Sequence, residues 1–236
     1  ADPEGDGEAF HTETLVRLPG GFLCYGPPAD APPVAPPGDG PVTFASCNNL
    51  AKVTPPVVAA WAELLARLPD SRLLLKAKAL GDAGTRRRMA ESFARLGVAE
   101  GRVDMMGWVE TGSHLGVYGG VDIGLDTFPY NGTTTTCEAL WMGVPVVTLS
   151  GDRHAGRVGA SLLAQVGLGE LVASSTAAYV ETALNLAADR QALGRLRGSL
   201  RSMIADGGLT NGQAFTAKLE AAYRKMWRDW CGRRTV

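Results

Sequence analysis

The stretch VDIGLDTFPYNGTTTTCEALWMGVPVVTL, residues 121–149, changes its hydrophobic period twice and thereby decides the fold class. Val121 to Leu125 is an apolar run of strand length. Thr135 to Met142 then places Cys137, Leu140 and Trp141 at helical spacing, and VPVVTL at 144–149 is strand-like again. Strand, helix and strand in succession signify a crossover between parallel strands. The linking loop, Asp126 to Thr135, contains Asn131-Gly132, a tight-turn pair in which glycine tolerates positive φ and close approach of another group.

The same alternation extends to both sides. Upstream lie VTFASC at 42–47, a helix opened by Pro55-Pro56 that carries Trp61, Leu64, Leu65 and Leu68, and RLLLK at 72–76. A helix from about Gly84 to Leu96, a strand from Arg102 to Met106 and a short helix from Ser113 to Tyr118 follow. Downstream, Ala155 to Val166 is helical, and from Ala177 only helical period remains. The expectation is an α/β protein: a Rossmann-like parallel sheet flanked by helices, with a helical C-terminal tail. Residues 1–40, rich in proline, read as an extended and poorly packed connector. The sheet domain then covers 41–176 and the terminal helices 177–236. The tail's aromatic stripe, including Phe215, Tyr223, Trp227 and Trp230, reads as core, packed on this domain or across to another.

Bulk properties narrow the function. A chain of 236 residues with 45% apolar residues is long enough for a sizeable core. A formal charge of -1 gives no long-range attraction to nucleic acid or an anionic membrane. Cys24, Cys47, Cys137 and Cys231 lack metal-ligand spacing, so no metal is expected. No apolar run reaches spanning length, and ADPEGDGEAF has no leader pattern and reads as a cut end. These features predict a cytoplasmic setting.

In open parallel sheets, ligands lie beyond the carboxyl ends of strands, where loops enter helix N-termini. The unpaired N–H groups of such a helix start attract anions, and Thr133, Thr134, Thr135 and Thr136 add hydroxyls. Spacing alone equally permits a capping box, with Thr135 as N-cap and Glu138 closing it. Lys52, in CNNLAK at 47–52, falls on the same sheet edge; it either neutralises an anion there or is a solvated surface charge. Asn48 and Asn49 suit turn positions. His114 and His154 also follow strands, as general bases by residue type or as ring contacts, with no carboxylate partner near them in sequence. There is no P-loop pattern and no GxGxxG after the first strand, so neither a P-loop nucleotidase nor a dinucleotide oxidoreductase is favoured.

Taken together, CNNLAK, LDTFPYNGTTTTCEALWMGVPVVTL at 125–149, RVGASLL at 157–163, FHTETLVRLPGGFLCYGPP at 10–28 and the closing LEAAYRKMWRDWC resemble the C-terminal catalytic half of the O-linked N-acetylglucosamine transferase family. That family includes SPINDLY proteins and bacterial relatives fused to tetratricopeptide repeats. The resemblance implies the second domain of a GT-B glycosyltransferase. It implies Lys52 facing the donor diphosphate as the catalytic group, with Asn49 beside it. It puts Thr134 and Thr135 at the phosphates, within a nucleotide-sugar-binding turn that includes Asn131, Gly132 and Thr133, Glu138 at the ribose, and His114 with the Val109 backbone at the base. Animal relatives carry histidine where this chain has Thr133 and lysine where it has Thr111, which leaves sugar and base preference open.

The resemblance further implies inverting transfer to Ser or Thr of a protein acceptor, which is bound through an N-terminal catalytic domain missing from these residues. The co-substrate it implies by default is UDP-GlcNAc, used without a metal or other cofactor. A SPINDLY-like O-fucosyltransferase using GDP-fucose, a non-catalytic nucleotide-sugar-binding module and a sugar-nucleotide epimerase are the alternative readings.

Overall fold

The computed structural model describes residues 2–110 and 114–233. Six strands form one parallel sheet in the order β3-β2-β1-β4-β5-β6: β1 (Thr43–Ser46), β2 (Arg72–Lys76), β3 (Val103–Met106), β4 (Ile123–Leu125), β5 (Val146–Leu149) and β6 (Val172–Ala173). Phe44 of β1 pairs with Leu73 on one side and Ile123 on the other, so chain order reverses direction across β1 and β4. This reversal is the topological switch point, where open α/β sheets form their ligand crevice.

The helices are α1 (Pro55–Arg67), α2 (Ala83–Ala94), α3 (Thr134–Trp141), α4 (His154–Gln165), α5 (Thr176–Ala188), α6 (Arg190–Asp206) and α7 (Gly212–Arg233). Side chains alternate across a strand, so each strand feeds two cores. Phe44, Leu73, Leu75, Ile123 and Val147 pack against α1 and α5; Ala45 and Val146 face α3, α4 and α6. The elements follow the expected order. The Ser113–Tyr118 segment is a 3-10 turn at Leu115–Gly120, with Ser113 itself outside the described residues. Strand β6, of two residues, is too short for periodicity to reveal.

One expectation is corrected. The proline-rich stretch is extended but tied down: Arg201 donates to the Pro32 carbonyl at 2.7 Å, Arg197 to Ala35 at 3.3 Å and Arg190 to Gly40 at 3.2 Å. Prolines remove backbone donors and leave carbonyls free, and the arginines of α6 use those carbonyls. The aromatic stripe is not covered by this domain. Helix α7 buries none of its residues, and Tyr223, Met226 and Trp227 are exposed.

Candidate functional site

The loop after β4 is organised around Asp126, which is completely buried. Its Oδ1 accepts from the Gly132 and Thr127 amides at 2.6 and 2.9 Å, and its Oδ2 from the Thr148 hydroxyl at 2.8 Å. Burial pushes this carboxyl up to about 6, against the opposing pull of those donors and of Lys52. Asn131 is buried too. It donates to the Thr127 carbonyl at 2.9 Å and accepts from the Gly159 amide at 3.2 Å, so its side chain is committed to the turn.

Gly132 is needed for space and not for positive φ, which it does not adopt. A Cβ there would stand 2.7 Å from the Thr135 hydroxyl and 2.8 Å from both Asn48 Oδ1 and the Thr136 hydroxyl. The helix starts one residue earlier than its spacing predicts. Thr133 is the N-cap and makes no side-chain cap bond, so the capping box of Thr135 and Glu138 does not form. Thr135 instead donates to Asn48 Oδ1 at 2.9 Å, and Glu138 turns toward His114. With no side chain satisfying it, the start of α3 keeps backbone donors open beside exposed Thr134 and half-buried Thr133.

The loop after β1 clasps this turn. The Lys52 ammonium donates to the Asn131 carbonyl at 2.7 Å and lies 3.9 Å over the Tyr130 ring. Burial pulls the Lys52 pKa down while the Asp126 charge holds it up. The Thr54 hydroxyl donates to the Phe128 carbonyl at 3.1 Å. Asn49 is exposed, with its side chain capping a 3-10 turn by accepting from the Ala51 amide. The cation is therefore brought to the helix start across the switch point, which sequence spacing could not show for residues some eighty positions apart.

On the other side, His114 Nε2 stands 2.8 Å from Glu138 Oε2 and its Nδ1 2.5 Å from Lys76 Nζ. His114 thus has a carboxylate partner that lay 24 residues away in sequence. His154 has one as well, Asp2, from the connector. Val109 sits half-buried in the loop after β3, next to exposed Trp108, whereas Thr111 lies outside the described residues. An open cleft of about 710 Å3 runs along this edge, lined by Asn48, Asn49, Lys76, Lys78, Asp82 and Trp108.

Asp126, Lys76 and Tyr118 were not singled out as site residues from sequence, and Asn48 only as a turn residue. Only the strand-end position of Asp126 and Lys76 hinted at them. Among the described residues, no cluster of three His, Cys, Asp or Glu is placed to hold a metal ion, and no helix is long and apolar enough to cross a membrane.

The model of glycosyl transferase family 41 matches residues 36–219. The rice protein called probable UDP-N-acetylglucosamine–peptide N-acetylglucosaminyltransferase SPINDLY is 49% identical over 98% of this chain, which covers 25% of that protein. The Arabidopsis protein of the same name is 47% identical over the same share. An O-GlcNAc transferase mutant of Thermobaculum terrenum superposes with a TM-score of 0.92 at 42% identity, over 98% of this chain and 44% of that one. A sucrose-phosphate synthase of Thermosynechococcus elongatus, at 18% identity and a TM-score of 0.57, shares the fold. The chain spans about a quarter of the length of its curated relatives.

Proposed function

Since the chain belongs to glycosyl transferase family 41, we propose that it forms the nucleotide-sugar-binding half of a protein O-glycosyltransferase. The observation that carries this reading is the convergence of Lys52 and the uncapped start of α3 at the β1/β4 switch point. A diphosphate at that spot receives backbone N–H groups, threonine hydroxyls and a cation from one side. In the proposed roles, Thr133, Thr134 and Thr135 meet the phosphates and Glu138 accepts ribose hydroxyls. His114 and the Val109 backbone meet the base, with Asn49 at the rim.

The proposed reaction is inverting. An acceptor Ser or Thr hydroxyl attacks the anomeric carbon, the bond to the diphosphate oxygen breaks, and the nucleoside diphosphate leaves with the electron pair. Lys52 is the catalytic group here because it meets the charge that develops on that leaving oxygen. The base that takes the hydroxyl proton and most acceptor contacts belong to the remaining part of a longer protein. UDP-GlcNAc is the proposed donor, as the names of the relatives state for those proteins. No metal is required, since Lys52 and the helix start supply the positive field.

Calorimetric titration of the chain with UDP and with GDP tests this. We expect one nucleoside diphosphate to bind and Lys52→Ala to weaken it about 10- to 100-fold, the range for loss of a charge-assisted contact. Equal affinity in a folded Lys52→Ala variant sinks the assignment of Lys52. Heat from GDP and not UDP moves the donor to GDP-fucose.

A further inference from the structure

Lys76 closes β2, His114 precedes the 3-10 turn at Leu115–Gly120, and Glu138 lies in the second turn of α3. The three side chains meet end to end, Nζ to Nδ1 at 2.5 Å and Nε2 to Oε2 at 2.8 Å. An ammonium has three donors and no acceptor. Nδ1 therefore accepts and carries no proton, which puts the ring proton on Nε2, where it is donated to Glu138. A doubly protonated ring would set an N–H against the ammonium. The opposite tautomer would set two lone pairs against each other at Glu138. Tyr118 lies edge-on to the ring at 6.0 Å between centroids, with its hydroxyl 3.3 Å from the Thr135 carbonyl and 3.5 Å from Glu138 Oε2.

We propose that Lys76 is a positioning residue that fixes His114 as the Nε2–H tautomer and thereby sets the orientation of the Glu138 carboxylate. Oε2 accepts from His114, and among the described residues no hydrogen bond reaches Oε1. That oxygen is presented for hydroxyl groups of a bound ligand. This last step rests on the nucleotide-sugar reading given above; the tautomer does not.

The test is nitrogen-15 NMR of the histidine rings, in a chain with only three histidines, His114 being assigned with His114→Gln. In the wild-type chain, Nδ1 of His114 is expected to read as unprotonated and Nε2 as protonated. Lys76→Met is expected to let Nδ1 take up a proton, and Lys76→Arg, which still donates, to keep the wild-type pattern. A wild-type ring protonated at Nδ1, or an unchanged ring in Lys76→Met, overturns the proposal. Should Lys76→Met not fold, the wild-type spectrum decides alone.

For the ligand step, UDP affinity is expected to fall about tenfold in Lys76→Met and to be restored in Lys76→Arg, the scale of one hydrogen bond to a charged group. Equal affinity in a folded Lys76→Met chain overturns the link from Lys76 to the ligand. A wild-type chain that binds neither UDP nor GDP removes the nucleotide-sugar reading, while the tautomer measurement still decides the role of Lys76.

Discussion

Asp126 shows how a single side chain shapes the turn that the sequence marked only by its threonines. Its carboxyl titrates at about 6 in the folded chain, against 3.8 when unperturbed. Between those values the folded state keeps a proton that the unfolded state has lost. The resulting stabilisation is full below about 4 and disappears as pH rises through about 6. Two pH units at about 1.4 kcal/mol each give an upper bound of about 3 kcal/mol. Asp126→Asn lacks this dependence. Urea unfolding from pH 4 to 6.5 is expected to show wild-type stability falling relative to Asp126→Asn, and parallel curves would refute the assignment. The threonine cluster was legible as a turn from composition alone. Its anchor was not, because the strand-end position of an aspartate is only a hint until the donors of Gly132 and Thr148 are placed around it.

At the scale of elements, the strand and helix order was readable because hydrophobic period alternates cleanly from Val42 to Val166. What periodicity could not supply was pairing between elements. Glu138 three residues after Thr135 satisfied a local rule, yet His114 competes for that carboxylate from another loop and wins. Similarly, nothing local linked α5 to the site. Trp61 of α1 donates to the Tyr179 hydroxyl at 3.1 Å, and that hydroxyl donates to the Asp126 carbonyl at 2.9 Å. Two helices and the loop after β4 thus share one buried phenol. Tyr179→Phe removes both bonds and strands the indole N–H and the carbonyl in a closed core. The expected cost is about 1–3 kcal/mol, read as a lower urea midpoint with unchanged slope. No change in midpoint would show that the phenol is replaceable by solvent.

For the molecule as a whole, α7 is the element that this chain does not explain. The stripe of Tyr223, Met226 and Trp227 repeats at core spacing, but those side chains are 59%, 41% and 63% exposed. The flanking surface is stabilised separately by ion pairs one turn apart, Arg224 with Glu220 at 2.9 Å and Lys225 with Asp229 at 2.7 Å. Large apolar side chains in a contiguous stripe mark a surface meant for contact. Spacing identified the stripe and left open whether this domain or another covers it, because periodicity reports that a face is apolar and says nothing of what covers it. The curated relatives are about four times as long as this chain. We therefore propose that α7 packs on the remainder of a longer protein. Hydroxyl-radical footprinting is expected to label Tyr223, Met226 and Trp227 severalfold less in the full-length protein than in the 236-residue chain. Equal labelling in the two would leave the stripe exposed in both and remove α7 from any domain contact.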